Sequence, residues 1–373
     1  MNIKYYLRCL KLVLLVWIAC VSTFLGILVP LLLTHRNSDI PDEVANLEYN
    51  ADYYLTLRKF KINPINRQYL LEPNDAACVG SSPSPYLLIL IPSIPDHFST
   101  REAIRKTYGS FADNSLYRTG ASGKLNVSIS VIFMLGKVES RFNASLVQSE
   151  HAIYGDILQA DFDDTYANLT LKMLLGIKWI STRCKDVEYL LKIDEDVFVN
   201  LPRLVSLLRN QTFIEKGYIF GKIHYNRPVF RDGRWAVSIK DFPLTLYPSY
   251  AAGNSYVISG RILPKIFNKS EYLPYLSIED AFITGCLGDA VGAKKVSVKG
   301  FTWWDENTPD PCSFYETGKY TGNRVSIMHM YTLWAAYVSR ETLCKTHRRV
   351  FIQLGLKAAL DSLKTQTKVW QHN

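Results

Sequence analysis

Apolar positions run in blocks along the chain, and the period inside each block predicts the element. The stretch "YLLILIPSI" (86–94) is continuously apolar, the pattern of a strand buried on both faces. "STREAIRKTYGSF" (99–111) follows, with Ser99 or Thr100 placed to cap a helix. A second strand is predicted over "NVSISVIFMLG" (126–136), then a helix around 140–153 and a short strand in "GDILQADF". A long helix with one apolar face is predicted over 166–184, "EYLLKID" (188–194) is the next buried strand, and "VSIMHM" (325–330) reads as a late one. Strands alternating with helices in this order predict an α/β body whose sheet is mostly parallel and flanked by helices on both faces.

Upstream of this body the pattern differs. Residues 35–84 are polar, with scattered Asn, Pro and Tyr and no sustained period, which predicts a stem closed by "GSSPSP". Before it lies an uncharged run from Leu12 to Thr34, long enough to cross a hydrocarbon core of ~30 Å. A cleaved signal peptide would carry a shorter apolar region and a small-residue exit, so an uncleaved anchor is the expectation. Lys4, Arg8 and Lys11 precede the run, which predicts a cytoplasmic tail over 1–11 and a luminal body. Sequons at Asn126, Asn143, Asn168, Asn210 and Asn268 all fall on the luminal side.

Composition changes this little. The formal charge of +9, from 43 basic and 34 acidic residues, is spread along the chain rather than blocked, and no nucleic-acid motif accompanies it. Beyond the anchor, Cys78, Cys184, Cys286, Cys312 and Cys344 show no paired C-x-x-C spacing, which argues for disulfides over a zinc site. Their odd number leaves at least one thiol free or paired with another chain.

The chemistry enters at "YLLKIDEDVFVN" (189–200), where a buried strand ends on Asp194, Glu195 and Asp196. Adjacent carboxylates repel one another and are costly to desolvate, so a cation should compensate them. In open α/β sheets ligands bind at the carboxyl ends of strands, which is where this triplet sits. A D-x-D pattern there can hold a divalent cation through hard oxygen ligands, and that cation a diphosphate; a solvated acidic turn before "NLPRLVSLL" is the competing reading. "YPSYAAGNSYVIS" (247–259) sets Gly253 and small residues among aromatics, which permits close approach to backbone. "LSIEDAFITGCLG" (276–288) adds Glu279 and Asp280 at a helix start, where they could equally complement the helix dipole. His329 lies in an apolar setting that suits a core histidine as well as a ligand.

Taken together, the ordered blocks "REAIRKTYGSF", "VIFMLG", "EHAIYGDILQADFDDTYANLTLK", "KIDEDVFVN", "YPSYAAGNSYVIS" and "IEDAFITG" resemble those of the Golgi β-1,3-galactosyltransferase and β-1,3-N-acetylglucosaminyltransferase family, glycosyltransferase family 31. The resemblance covers about 85–335 and implies a GT-A fold, a catalytic domain over 85–345 and a Golgi location. It implies manganese held by Asp194, Asp196 and His329, with Lys192, Asp194, Glu195, Arg101 and Arg105 on the side of a UDP-sugar donor. It also implies Asp280 as catalytic base with Glu279 beside it, acting on an acceptor glycan of a glycoprotein or glycolipid. For the arginine pair, ordinary helix surface charge is the alternative. Three departures stand out: Glu195 is the middle acid where the family has Asp, Tyr108 replaces a Trp, and Ala251 and Ala252 replace a Cys-containing segment. The extension over 346–373 lies outside the resembling blocks.

The implied reaction is inverting hexose transfer, with galactose favoured over N-acetylglucosamine and N-acetylgalactosamine. A catalytically silent glycan binder and a glycosidase with paired carboxylates are the competing classes.

Overall fold

The computed structural model describes residues 55–74, 78, 85–112, 127–210, 217–303 and 306–339, all within one unit spanning Ala51–Asn373. The anchor, the cytoplasmic tail, the sequon at Asn126 and the 346–373 extension fall outside the described residues. Among those described, no helix is long and apolar enough to cross a membrane.

The architecture is mixed α/β around an eight-stranded sheet. In chain order the strands are β1 (Tyr69–Leu71), β2 (Leu87–Pro92), β3 (Ile129–Lys137), β4 (Ile157–Asp163), β5 (Tyr189–Ile193), β6 (Phe198–Val199), β7 (Tyr218–His224), β8 (Tyr250–Ser259), β9 (Lys294–Ser297) and β10 (Thr321–Gly322). The sheet runs β1-β4-β3-β2-β5-β8-β7-β9, and β10 pairs with β6 in a separate ribbon. Its centre, β4-β3-β2-β5, is parallel. Beyond that centre the sheet turns mixed, because β8 runs antiparallel to both β5 and β7, and β1 antiparallel to β4.

Continuous apolar strands form here because both faces are covered. Leu88 and Leu90 of β2 enter one core with the helix Leu169–Arg183, while Leu87, Ile89 and Ile91 enter the other with the helices Phe98–Lys106 and Leu201–Arg209. The expected late strand at 325–330 is instead the start of a helix, Ile327–Ser339, which packs Met330, Tyr331 and Leu333 into the second core. A short apolar run carries no decisive period, and the continuation "YTLWAAYVS" turns it into a helix.

Part of the polar stem is tied to the body. Arg58 and Ile62 donate backbone N–H groups to the carbonyls of Tyr272 and Glu271, and β1 adds to the sheet edge beside β4. Cys78 and Cys184 form a disulfide, Cys312 is disulfide-bonded as well, and Cys286 is a buried free thiol.

Candidate functional site

The parallel strands end together, and the loops there carry the chemistry. β2 leads to Ser93, β4 to Asp164 and β5 to the acid triplet, and Gly136 lies at the end of β3. Buried Lys172, from the helix after β4, bonds the Ser93 carbonyl and Asp164 Oδ1, each at 2.6 Å, and the other Asp164 oxygen accepts the Gly136 N–H at 2.7 Å. Burial pulls the Lys172 ammonium below its ordinary range despite Asp164. This node fixes the carboxyl ends of three strands relative to one another. Asp164 and Lys172 lie in "DFDDTYANLTLK", yet nothing in the local pattern marks them as a cross-link.

Arg101 and Arg105 are structural in this geometry. Arg101 is buried and bonds Glu150 through Nε at 2.8 Å and a terminal nitrogen at 2.5 Å. Its remaining N–H groups reach Ser93 Oγ and the carbonyls of Ile94 and Pro95, so every guanidinium donor is committed to protein. Arg105 pairs with Asp156 and Glu150 and lies over the Tyr154 ring at 4.0 Å. The pair sits inside the fold, braced against acids, where the sequence suggested groups presented to a nucleotide.

Lys192, near the end of β5, is the hub of the site. It is buried, its ammonium 2.5 Å from Asp194 and 3.8 Å from Glu279, and it also donates to the Gly253 carbonyl. Burial works against its charge, but Asp194 and Glu279 outweigh burial and hold the ammonium above the usual lysine range. Asp194 is fixed through its backbone, its N–H donating to the Asn254 carbonyl at 3.0 Å. The structure therefore brings Lys192, Asp194, Glu279 and the Gly253 turn of β8 together.

Glu279 and Asp280 have different surroundings. Glu279 is buried with one oxygen on the Tyr256 hydroxyl and the other toward Lys192; burial pushes its carboxyl up to about 7. Asp280 heads a π-helical turn, Ala281–Cys286, with Oδ1 accepting the Ala281 N–H at 2.9 Å. Burial raises it to about 6, against the pull of that hydrogen bond and of Lys192. Its other oxygen faces Gly253 so closely that a Cβ there would stand 2.9 Å away. The phenols of Tyr166, Tyr247 and Tyr250 all lie within its field. Tyr256, unremarkable in sequence, proves to be the residue that holds Glu279.

Glu195 and Asp196 complete the triplet. Glu195 bonds His97 through one oxygen and leaves the other buried without a partner. Asp196 is raised by burial and by the neighbouring charge of Asp194, and its carbonyl accepts the Val325 N–H at 2.8 Å. That bond brings the segment leading to His329 alongside the triplet. His329 Nε2 lies 2.6 Å from the Pro309 carbonyl, which can only accept, so the proton belongs on Nε2 and Nδ1 keeps its lone pair. A histidine that donates one nitrogen to a carbonyl and keeps the other bare is prepared to ligate. Among the described residues no three His, Cys, Asp or Glu side chains already converge as a metal cage. Hard carboxylate donors, an orphaned Glu195 oxygen and a tautomer-fixed histidine nevertheless suit a divalent cation.

Known proteins resemble the chain over this region. The family model described as Galactosyltransferase matches residues 99–299, which include β2 only by its following helix but all of the acidic site. Beta-1,3-galactosyltransferase 4 of Rattus norvegicus is 34% identical over 249 residues, covering 59% of this chain and 64% of the relative. Beta-1,3-galactosyltransferase 1 of Mus musculus is 30% identical over 291 residues, covering 77% and 83%. Beta-1,3-galactosyltransferase 5 of Gorilla gorilla gorilla is 34% identical over 205 residues, covering 54% and 65%. Two of these three matches thus span somewhat less than two thirds of the relative's own length. The chain belongs to the galactosyltransferase family of glycosyltransferases.

Proposed function

We propose that the protein transfers a hexose, galactose in the first instance, from a UDP-sugar to the 3-hydroxyl of an acceptor glycan with inversion, on a GT-A scaffold. The observation that carries this reading is the Lys192 bridge: one buried cation holds Asp194, on the donor side, and Glu279, next to the base.

In this reading Asp280 takes the proton. The acceptor oxygen attacks the anomeric carbon, a new carbon–oxygen bond forms, the bond to the β-phosphate oxygen breaks, and the hydroxyl proton passes to the Asp280 carboxylate. A carboxyl at about 6 is mostly ionised at neutral pH and still a better proton acceptor than an ordinary aspartate. Glu279 has both oxygens occupied, so it positions Tyr256 and Lys192 rather than acting as the base. Asp194, Asp196 and His329 would hold manganese, which would neutralise charge on the departing diphosphate. Arg101 and Arg105 act as positioning residues, shaping the 93–95 loop and the floor beneath it.

The names of the relatives support galactose as donor and a β-1,3 link as product. The apolar run at Leu12–Thr34 supports anchoring, and with the relatives a Golgi location. The deciding experiment incubates the full chain with UDP-galactose, UDP-N-acetylglucosamine and UDP-N-acetylgalactosamine over a panel of acceptor glycosides, with manganese or EDTA. Transfer from UDP-galactose that EDTA abolishes supports the proposal. UDP bound in manganese with no transfer from any donor would replace it with a silent glycan binder.

A further inference from the structure

A cleft of about 820 Å³ lies apart from the carboxylates, between the tied stem segment, the loop before β8 and the approach to Glu279. Arg58 and Phe60 come from the stem, Lys240 and Asp241 from the loop, and Tyr275 and Ser277 from the approach. None of Asp194, Asp196, Glu279 or Asp280 lines it. Its size falls in the range of ligand-binding clefts.

We propose that this cleft is a distal acceptor subsite, which binds sugar residues of the acceptor glycan beyond the one being glycosylated. The inference rests on the transferase reading above. Position is the first argument: Ser277 precedes the base by three residues, a span of at most about 11 Å, so a glycan with its terminal sugar at Asp280 can extend into the cleft. The second is the lining. Phe60 is 70% exposed, and with Tyr275 it offers ring surface to the apolar face of a pyranose. Lys240 and Asp241 supply a charged donor and an acceptor at the same surface, which suits a polyhydroxyl ligand. An alkyl chain would desolvate those charges without compensating them. A peptide would find the Arg58 and Ile62 N–H groups already bonded to Tyr272 and Glu271.

The third argument is the stem itself. Lys61 pairs with Glu271 at 2.6 Å, and Asn63 donates to the Leu273 carbonyl, so Phe60 is held over the cleft by bonds on its C-terminal side and by the Arg58 N–H on the other. A spacer needs no such attachment; a wall of a binding site does.

The test compares acceptors that differ only in length. Methyl β-N-acetylglucosaminide, a tetrasaccharide ending in the same sugar, and the octyl glycoside are assayed with the full chain, Phe60→Ala and Lys240→Ala; a galactose-terminated set is run in parallel. Phe60→Ala should raise KM for the tetrasaccharide about tenfold, leaving kcat and the KM values for UDP-sugar and methyl glycoside within about twofold. An unchanged tetrasaccharide KM, or a parallel rise for the methyl glycoside, overturns the subsite. An octyl glycoside that depends on Phe60 as strongly as the tetrasaccharide overturns the glycan assignment in favour of a lipid. Ligand-observed NMR of both tetrasaccharides against full chain and Phe60→Ala reads the cleft without turnover. Absence of transfer therefore counts against the enzyme reading alone, whereas tetrasaccharide signals identical in the two proteins count against the subsite.

Discussion

At the scale of single residues, two neighbouring acids divide the work by environment. Asp280→Asn should lower kcat by about 10²- to 10⁴-fold, because the amide cannot accept the acceptor proton; steady-state transfer assays check this. The ionised form is the active one, so kcat should fall as pH drops through about 6 and level off above it, and Asp280→Asn should lose that limb. Gly253→Ala places a methyl group against the Asp280 oxygen and should depress kcat while thermal melts stay close to those of the parent. The acids themselves were legible in the sequence, since a D-x-D triplet and an E-D pair stand out from apolar surroundings. What they touch was not. Tyr256 lies sixty-odd positions from Lys192 and opposite it across the β5–β8 pairing, a relation set by sheet register. The arginine pair shows the same limit: helical spacing puts Arg101 and Arg105 on one face, but only packing decides that this face points at Glu150 and Asp156. Arg101→Met should therefore cost up to about 3–5 kcal/mol of stability by leaving buried Glu150 to Arg105 alone, measured by urea unfolding, with UDP affinity of the folded fraction little changed.

At the scale of elements, strands with strong apolar runs were readable because burial on both faces writes itself into composition. The expected stretch at 86–94 became β2 at Leu87–Pro92, and that at 188–194 became β5 at Tyr189–Ile193. The 325–330 run failed because its six residues fit either period, and the helix that takes up its last four is apolar nearly all round. The stem segment is a different case. Its attachment depends on backbone hydrogen bonds and on β1 joining a sheet edge, neither of which needs a hydrophobic period. The Cys78–Cys184 bond adds a covalent link between that region and the helix Leu169–Arg183, across 106 residues. Replacing both cysteines by serine should lower stability by up to about 5 kcal/mol on the chain-entropy account, seen as a fall in Tm.

At the scale of the whole molecule, the site draws on both halves of the sheet: the parallel half supplies the triplet, and the antiparallel β8 with the Ala281–Cys286 turn supplies Gly253 and the base. A divalent cation binding at the triplet should stabilise the entire body by mass action, so EDTA should lower Tm of the protein purified with manganese, and excess manganese should restore it. The buried thiol of Cys286 offers another way to follow the same unit. It closes the turn that begins beside the base, and burial pushes it up to about 12, so in the native state it is an unreactive thiol at pH 8. Alkylation, read by mass spectrometry on the peptide that carries Cys286, becomes a clock for the moments when that turn opens. Slower labelling with UDP and manganese present would show that loading the donor side quiets the floor on which the acceptor reacts.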